Sequence, residues 1–508
     1  MAHLTRGQLV LATFILALSN FMVVLDLTIA NVSIPNIAGN LGASISQGTW
    51  VITSYSVAEA ILLPLTGWLT QRLGTVRLLA LAMLAFSACS LACGLSPTLG
   101  SLVFFRVLQG ISGAPMMPLA QSMLYSIYPR EKAGIGAGIF AMTTMLAPVC
   151  GPLLGGFISD NLHWSWIFLI NVPVGLLCSG LIYRTFRTME TPVKKGPVDF
   201  IGLGLLVLAV GSLQLMLDKG KELDWFGSPV IVALSISAIV GFCFFLVWES
   251  GERNPVVNLR LFLNRNYSMG VVGQTIVFSV YFGSVVLVPI WLQTTMGYTA
   301  SWAGMAVAPI GVLSILMAPI VGRNAQKFDP RFLLSLSLII IGTTFVMRSH
   351  FTPDADYWAI ILPQVIQGSA MAMFFMPLNF MAISSLKPED ISSGAGLMSF
   401  VRTVGVAFST SIVTTFWENQ TERHHAALVE HLTAYDGSTN QFLQAYSGMG
   451  LDSQQSSAML DHIVGTQAST MALTDYFTIG AAVLLALALL VWFAKPVRIN
   501  PEAAMQGH

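Results

Sequence analysis

The sequence predicts an all-α polytopic membrane protein, two six-helix bundles with two further helices inserted between them. Three observations carry that expectation. Of 508 residues, 55% are hydrophobic and only 9% charged, against roughly 25% charged residues in soluble domains. Fourteen apolar runs follow one another, each close to the roughly 20 residues a helix needs to cross hydrocarbon with its backbone groups bonded internally. Motifs from the first part of the chain return about 255 residues later.

In order, the runs are 9–34, 48–70, 77–96, 100–125, 134–158, 165–184, 199–218, 229–249, 268–294, 302–322, 331–350, 357–380, 393–416 and 471–494. An even number puts both termini on one side. Loop parity places eighteen basic residues on the N-terminal side, Arg6, Arg72, Arg77 and Arg184 among them. Only Lys219, Lys221, Arg348 and Arg423 fall on the other side, and Arg106 and Arg402 lie within runs. Basic residues in short loops stay cytoplasmic, so both termini are expected in the cytoplasm of a cell with an inner membrane. The opening MAHLTRGQLV enters its apolar run without a small-residue cleavage site and reads as a retained first helix.

The repeat divides the chain. Pro64, Gly67, Gln71 and Arg72 recur as Pro319, Gly322, Gln326 and Lys327. Arg106-Val-Leu-Gln109-Gly110 recurs as Gln364-Val-Ile-Gln367-Gly368, and Gly136-Ala-Gly138 as Gly394-Ala-Gly396. Internal repeats of this kind belong to transporters that bind cargo between their halves. The expected units are a bundle over 1–190, the inserted pair and its linkers over 191–265, and a second bundle over 266–508. Residues 417–470, rich in Gln, Ser and His, are expected as a hydrophilic loop on the far side.

A charge at the centre of a membrane helix costs about 2.5–3.5 kcal/mol even on the lenient insertion scale, so ionisable groups there are functional candidates. They are Asp26, Glu59, Arg106 and Arg402; Asp218 and Asp475 stand near run ends. Asp26 shares a helix face with Ser19, Met22 and Ser33, a face expected to look into a cavity. Glu59 shares one with Thr53 and Ser56. Arg106 is backed by Gly110, Gly113 and Met117, residues that let a helix or ligand come close. Two carboxylates and a guanidinium suit a proton switch, because burial disfavours a carboxylate and a nearby arginine favours it. The same residues also suit a static ion pair that locks helices together. Arg402 either binds an anionic substrate or pairs across the bundle. In the fifth run Gly138, Ala147, Gly151-Pro152 and Gly155-Gly156 thin one helix face and point to a specific bend. Met22, Asn31, Gln109, Met117 and Arg402 are the candidate substrate-pocket residues. With 24 Met and 30 Phe, the chain has adaptable apolar surface for varied ligands, though most of it serves packing and lipid.

Other classes fit poorly. Lys+Arg and Asp+Glu balance at 24 each, and no basic cluster with interleaved aromatics argues for nucleic acid. There is no GxxxxGK[ST] phosphate loop and no soluble stretch large enough for an ATPase domain. Cys89 and Cys93, one turn apart, read as core residues rather than a metal pair, as do Cys150, Cys178 and Cys243. His424, His425, His431 and His462 lack acids or thiols at ligand spacing, so no metal and no cofactor is expected. A membrane enzyme or sensor would need clustered catalytic groups or an output domain, and the longest loop offers neither.

Five motifs follow in order: Leu25-Asp26-x-Thr28-Ile-Ala30-Asn31-Val-x-Ile-Pro35, Gly67-Trp-Leu-Thr-Gln71-Arg72-Leu-Gly74-Thr-Val-Arg77, Leu102-x3-Arg106-x2-Gln109-Gly110, Ala147-x3-Gly151-Pro152-x2-Gly155-Gly156 and Trp164-x-Trp166-Ile-Phe-Leu-Ile-Asn171-Val-Pro173. With them the chain resembles the major facilitator superfamily, in particular its fourteen-helix drug:proton antiporter branch, over nearly its whole length. The resemblance implies Asp26 as the protonation site, Arg106 as its coupling partner and Gly151 to Gly156 as the antiporter motif, with Ala147 at its first glycine. It implies a cytoplasmic latch at Gly67, Gln71, Arg72, Gly74 and Arg77. Gln71 replaces the usual Asp, which leaves the latch to Gly67, Arg72 and Arg77.

Gln47-Gly-Thr-Trp50-Val-Ile-Thr53, Leu215-Met-Leu-Asp218-Lys-Gly-Lys-Glu222-Leu-Asp224-Trp225-Phe and Val491-Trp-Phe-Ala-Lys495-Pro496 are similar to inner-membrane pumps of tripartite efflux systems. That similarity implies hydrophobic drug-like cargo, protons as the driving ion, a lipid surround, a periplasmic adaptor of the membrane-fusion type and a TolC-like outer-membrane channel. Glu59 departs from that pattern, and its role rests on the residues alone. The alternative is an exporter of one dedicated metabolite or fatty acid.

Overall fold

A computed structural model describes residues 5–128, 133–193, 199–252, 255–324, 328–383, 385–387, 390–432, 437–449 and 452–493. The regular elements there are all helical: α1 (Arg6–Asn40), α2 (Trp50–Leu62, a 3-10 turn at Leu63–Leu65, then Thr66–Leu73), α3 (Thr75–Gly94), α4 (Leu99–Gly113 and Met116–Ile127), α5 (Ala133–Asn161), α6 (Asn171–Phe186), α7 (Phe200–Lys219), α8 (Pro229–Gly251), α9 (Arg265–Thr294), α10 (Ala300–Val307 and Pro309–Asn324), α11 (Pro330–Arg348), α12 (Tyr357–Ile383), α13 (Ile391–Glu430), α14 (Gly437–Gly448) and α15 (Ser453–Leu490). Helix occupies every expected run. Among the described residues, twelve helices are long and apolar enough to cross a membrane, α5 and α10 not being in that set.

Local signals set the helix starts. Thr5 with Gln8, Thr98 with Ser101 and Asp452 with Gln455 form reciprocal capping boxes at α1, α4 and α15, satisfying N–H groups that a first turn leaves open. Asp329 caps α11 ahead of Pro330, a position where proline's missing N–H is no loss. Pro64 lies in the 3-10 turn of α2 and Pro115 at the join within α4, where proline removes an interior hydrogen bond.

Packing repeats with the sequence. In the first bundle α1 packs on α5, α2 on α4, and α3 on α4 and α6; one repeat later α9 packs on α13, α10 on α12, and α11 on α12 and α15. Each bundle has its own core, with Leu16, Met83, Phe86 and Phe186 in the first and Trp291, Phe345, Phe374 and Phe477 in the second. The bundles meet along α5 with α10 and α12, and along α13 with α2 and α4. A Cβ at Gly67 would stand 2.0 Å from Ser393 Oγ, so only glycine lets α13 come this close to α2. Gln121 Nε2 donates to Asn379 Oδ1 at 2.9 Å, and the Ser122 and Ser392 hydroxyls are 3.3 Å apart. These contacts draw the bundles together toward the end that carries the α2–α3 turn.

The inserted helices α7 and α8 pair with each other, and α7 lies against α2 and α13. Leu206 and Phe245 share an apolar cluster with Ala60, Leu397 and Phe400. The insertion thus flanks the seam and touches both bundles.

Two expectations are corrected. The stretch 417–470, expected as a hydrophilic loop, is largely helical: α13 runs on to Glu430, α14 follows, and α15 starts at Ser453. The 40 residues of α13 reach about 60 Å, twice the roughly 30 Å hydrocarbon thickness. Its far end therefore stands out of the membrane, paired with the start of α15. Trp417 Nε1 donates to Ser469 O at 3.1 Å, His424 Nε2 lies 2.7 Å from Asp475 and His425 Nε2 3.0 Å from Asp461. Polar helices that bond to one another lack the one-sided apolar periodicity that marks a helix in sequence. The second correction concerns Arg348, expected among the loop residues. It closes α11 with its side chain fully buried in the second bundle.

Candidate coupling site

Asp26 is wholly buried and held by three other side chains. Its Oδ2 accepts from Arg106 Nη1 at 2.5 Å, and its Oδ1 accepts from Asn171 Nδ2 at 2.7 Å and Gln109 Nε2 at 3.1 Å. Arg106 donates from Nε to Val51 O and from Nη1 to Gln109 Oε1, both at 2.9 Å. Gln109 Nε2 also reaches Ser90 Oγ at 2.6 Å. The guanidinium carbon lies 4.2 Å from the Tyr55 ring centroid and 5.5 Å from that of Phe168, rings that favour a cation over their faces.

The sequence builds this knot simply. Arg106 and Gln109, three apart, share one face of α4. A Cβ at Gly110 would stand 2.5 Å from Tyr55 O, so glycine there brings α2 close enough for Val51 O to accept. Asp26 thus faces the interior of the first bundle rather than a cavity between bundles. A buried pair repays its desolvation only when the remaining donors and acceptors are satisfied. Both Asp26 oxygens are; Arg106 Nη2 has no partner among the described residues.

The other two candidate charges, Glu59 and Arg402, stand on α2 and α13, helices that pack across the seam. Glu59 on α2 is 6% exposed and Arg402 on α13 equally so. Arg402 Nη2 lies against Met117 Sδ, and its guanidinium carbon is 5.1 Å from the Phe278 ring centroid. Met117 of the pocket candidates therefore meets Arg402, whereas Met22 is packed in the first core and Gln109 belongs to the Asp26 knot. The side chains of Asn31 and Pro152, and Gly138, lie outside the described residues.

At the opposite end Gly74, with φ +84°, joins α2 to α3 in a conformation that favours glycine. The Glu190 carboxylate seals this turn. It accepts from the N–H groups of Val76 and Arg77, each at 3.0 Å, and lies 3.8 Å from Arg77 Nε. An acid at a helix N-terminus answers both its open N–H groups and its partial positive charge. Arg72 stacks over Trp68 at 4.6 Å, and Gln71 is exposed. Sequence reasoning missed Glu190, because it follows α6 and belongs to no motif.

On α5, a Cβ at Gly151 would stand 2.2 Å from Thr28 Oγ1 and one at Gly155 2.7 Å from Ile29 O, while one at Gly156 would meet nothing within 4 Å among the described residues. Two glycines of the motif therefore seat α5 directly against α1, at Thr28 and Ile29 within a turn of Asp26. The third does not.

The sequence profile of the Major Facilitator Superfamily matches residues 16–410. The chain belongs to that superfamily. Its members are secondary transporters, not enzymes. It is 46% identical to "Multidrug export protein EmrB" of Escherichia coli (strain K12) over 494 residues, 97% of this chain and 96% of that one. It is also 42% identical to "Fatty acid resistance protein FarB" of Neisseria gonorrhoeae over 493 residues, 97% of each chain. Among solved structures, the proton:xylose symporter XylE superposes with a TM-score of 0.58 at 13% identity, covering 96% of both chains, which is a likeness of fold.

Proposed function

We propose that this superfamily member is a proton-driven antiporter that exports hydrophobic or amphipathic drug-like molecules across a bacterial inner membrane. All fourteen long helices span it, both termini lie in the cytoplasm, and the α2–α3 turn is on the cytoplasmic side. The near full-length similarity to multidrug export proteins supports the cargo class. The observation that carries the coupling is the closed knot of Asp26, Arg106, Gln109 and Asn171.

In this reading Asp26 binds and releases the coupled proton. With the carboxylate ionised, Arg106, Gln109 and Asn171 hold α1, α4 and α6 together. Protonation removes the charge that Arg106 answers, and the guanidinium turns to other acceptors as the bundle shifts. The bundles then rock about the seam, where Arg402, Met117 and Glu59 face the cargo. Gly67, Arg72, Gly74 and Arg77, with Glu190, close the cytoplasmic end between cycles. One charge crossing 100 mV supplies about 2.3 kcal/mol, so one proton at roughly 150 mV supports a cargo gradient of about 300-fold. The outward ends of α13 and α15 offer a periplasmic adaptor of the membrane-fusion type a place to dock, with a TolC-like channel beyond.

Export of one fatty acid is the second reading, favoured by the FarB similarity and by Arg402 in the seam. Drug accumulation in cells separates the two. Expression of the chain lowers accumulation of several unrelated hydrophobic dyes if the first reading holds, and of long-chain fatty acids alone if the second does.

A further inference from the structure

The Asp26 knot has a counterpart one repeat later, and its charge is different. Asp26, Ser90, Arg106 and Gln109 recur at a constant offset of 258 residues as Ser284, Arg348, Gln364 and Gln367. The four positions meet in each bundle. Arg348 Nη1 donates to Ser284 Oγ at 3.3 Å, and Nη2 donates to Gln364 Oε1 at 2.7 Å and to Gln367 Oε1. The guanidinium has moved from the fourth helix of the repeat to the third, and the carboxylate has become a hydroxyl. The first knot is neutral, whereas the second carries a whole positive charge.

Arg348 and Gln367 are both fully buried, and Arg348 Nε and Gln367 Nε2 have no partner among the described residues. The rings of Phe345 and Phe477, each with its centroid 5.5 Å from the guanidinium carbon, soften the charge without neutralising it. The three side chains that accept from Arg348 are all neutral. A buried cation without a counter-ion is costly, and arginine does not shed its proton to escape that cost. We propose that this C-terminal knot binds a small anion, either chloride or the carboxylate of an acidic substrate, in the role that Asp26 fills in the N-terminal bundle.

Ser284 gives the test its sharpest variant. Ser284→Asp installs the missing carboxylate beside Arg348 and excludes a free anion. The purified full-length chain in detergent is titrated with radiolabelled chloride, with decanoate as competitor, and melted in chloride or in methanesulfonate at equal ionic strength. The wild type is expected to take up one chloride per chain and to melt about 2 °C higher in chloride. Competition by decanoate assigns the site to a substrate carboxylate, and its absence assigns it to the halide. Ser284→Asp is expected to bind chloride at least tenfold more weakly and to melt at the same temperature in both salts. Arg348→Gln is expected to lose binding; should it not fold, Ser284→Asp decides alone. Wild-type protein that binds neither probe, or Ser284→Asp that binds chloride as the wild type does, overturns the proposal.

Discussion

Gln121 and Asn379 occupy the same position in the two repeats, 258 residues apart, and they bond to each other at 2.9 Å across the seam. Two equivalent positions touch only where the axis relating the bundles passes between them, which in the proposed cycle is where the bundles would pivot. Both residues are buried, and breaking one side leaves an amide unsatisfied at about 1 kcal/mol or more. Asn379→Leu is expected to shift the population with its cytoplasmic end closed by roughly fivefold toward opening. Labelling of a cysteine placed at Ser393, opposite Gly67, measures the shift. Unchanged labelling would remove the contact from the gate.

The Glu190 carboxylate on the first turn of α3 makes a second prediction. Glu190→Ala removes a cap worth about 0.5–2 kcal/mol and frees Arg77. Glu190→Gln keeps an acceptor but not the charge, so it is expected to fall between Glu190→Ala and the wild type. Thermal melting of the purified chain ranks the three. Equal melting of all three would make the cap ornamental.

The glycines of α5 divide cleanly. Gly151→Ala and Gly155→Ala each press a methyl onto α1 within 3 Å of Thr28 Oγ1 or Ile29 O. Overpacking of this kind typically costs about 1–3 kcal/mol. Gly156→Ala meets nothing within 4 Å among the described residues. The first two are expected to lower folded yield or transport several-fold and the third to leave both unchanged, as read by membrane expression and dye efflux in cells.

Arg106 tests the geometry of the knot. Lysine keeps the charge but lacks the planar fork that reaches Val51 O, Asp26 and Gln109 at once. Arg106→Lys is therefore expected to reach the membrane yet lose at least tenfold in transport. Wild-type transport by Arg106→Lys would reduce the guanidinium to a point charge.

Much of this was legible in the sequence because membrane burial is a one-dimensional signal. Run length and charge economy located the helices, and the recurrence of Arg106-x2-Gln109 as Gln364-x2-Gln367 located the bundles. Asp26 and Arg106 stood out because a charge in hydrocarbon has no cheap explanation. Their partners did not: Ser90 and Val51 O are ordinary residues until α3 and α2 bring them together, and Asn171, though part of a motif, carried no sign that α6 would set it on Asp26. Arg348 was hidden at a helix end, where sequence alone cannot tell a side chain turned to water from one turned inward. The repeat offset held the missing signal, since it carries Ser90 onto Arg348. The paired extensions of α13 and α15 escaped notice because their support is polar and comes from one another.

The most direct test of the account is proton release from everted membrane vesicles, followed by a dye quenched inside acidified vesicles. Added drug should restore fluorescence with the wild type. Asp26→Asn, at equal expression, should give no drug-dependent recovery, while Glu59→Gln should retain it. Recovery in Asp26→Asn equal to that of the wild type would contradict the assignment of the coupled proton to Asp26.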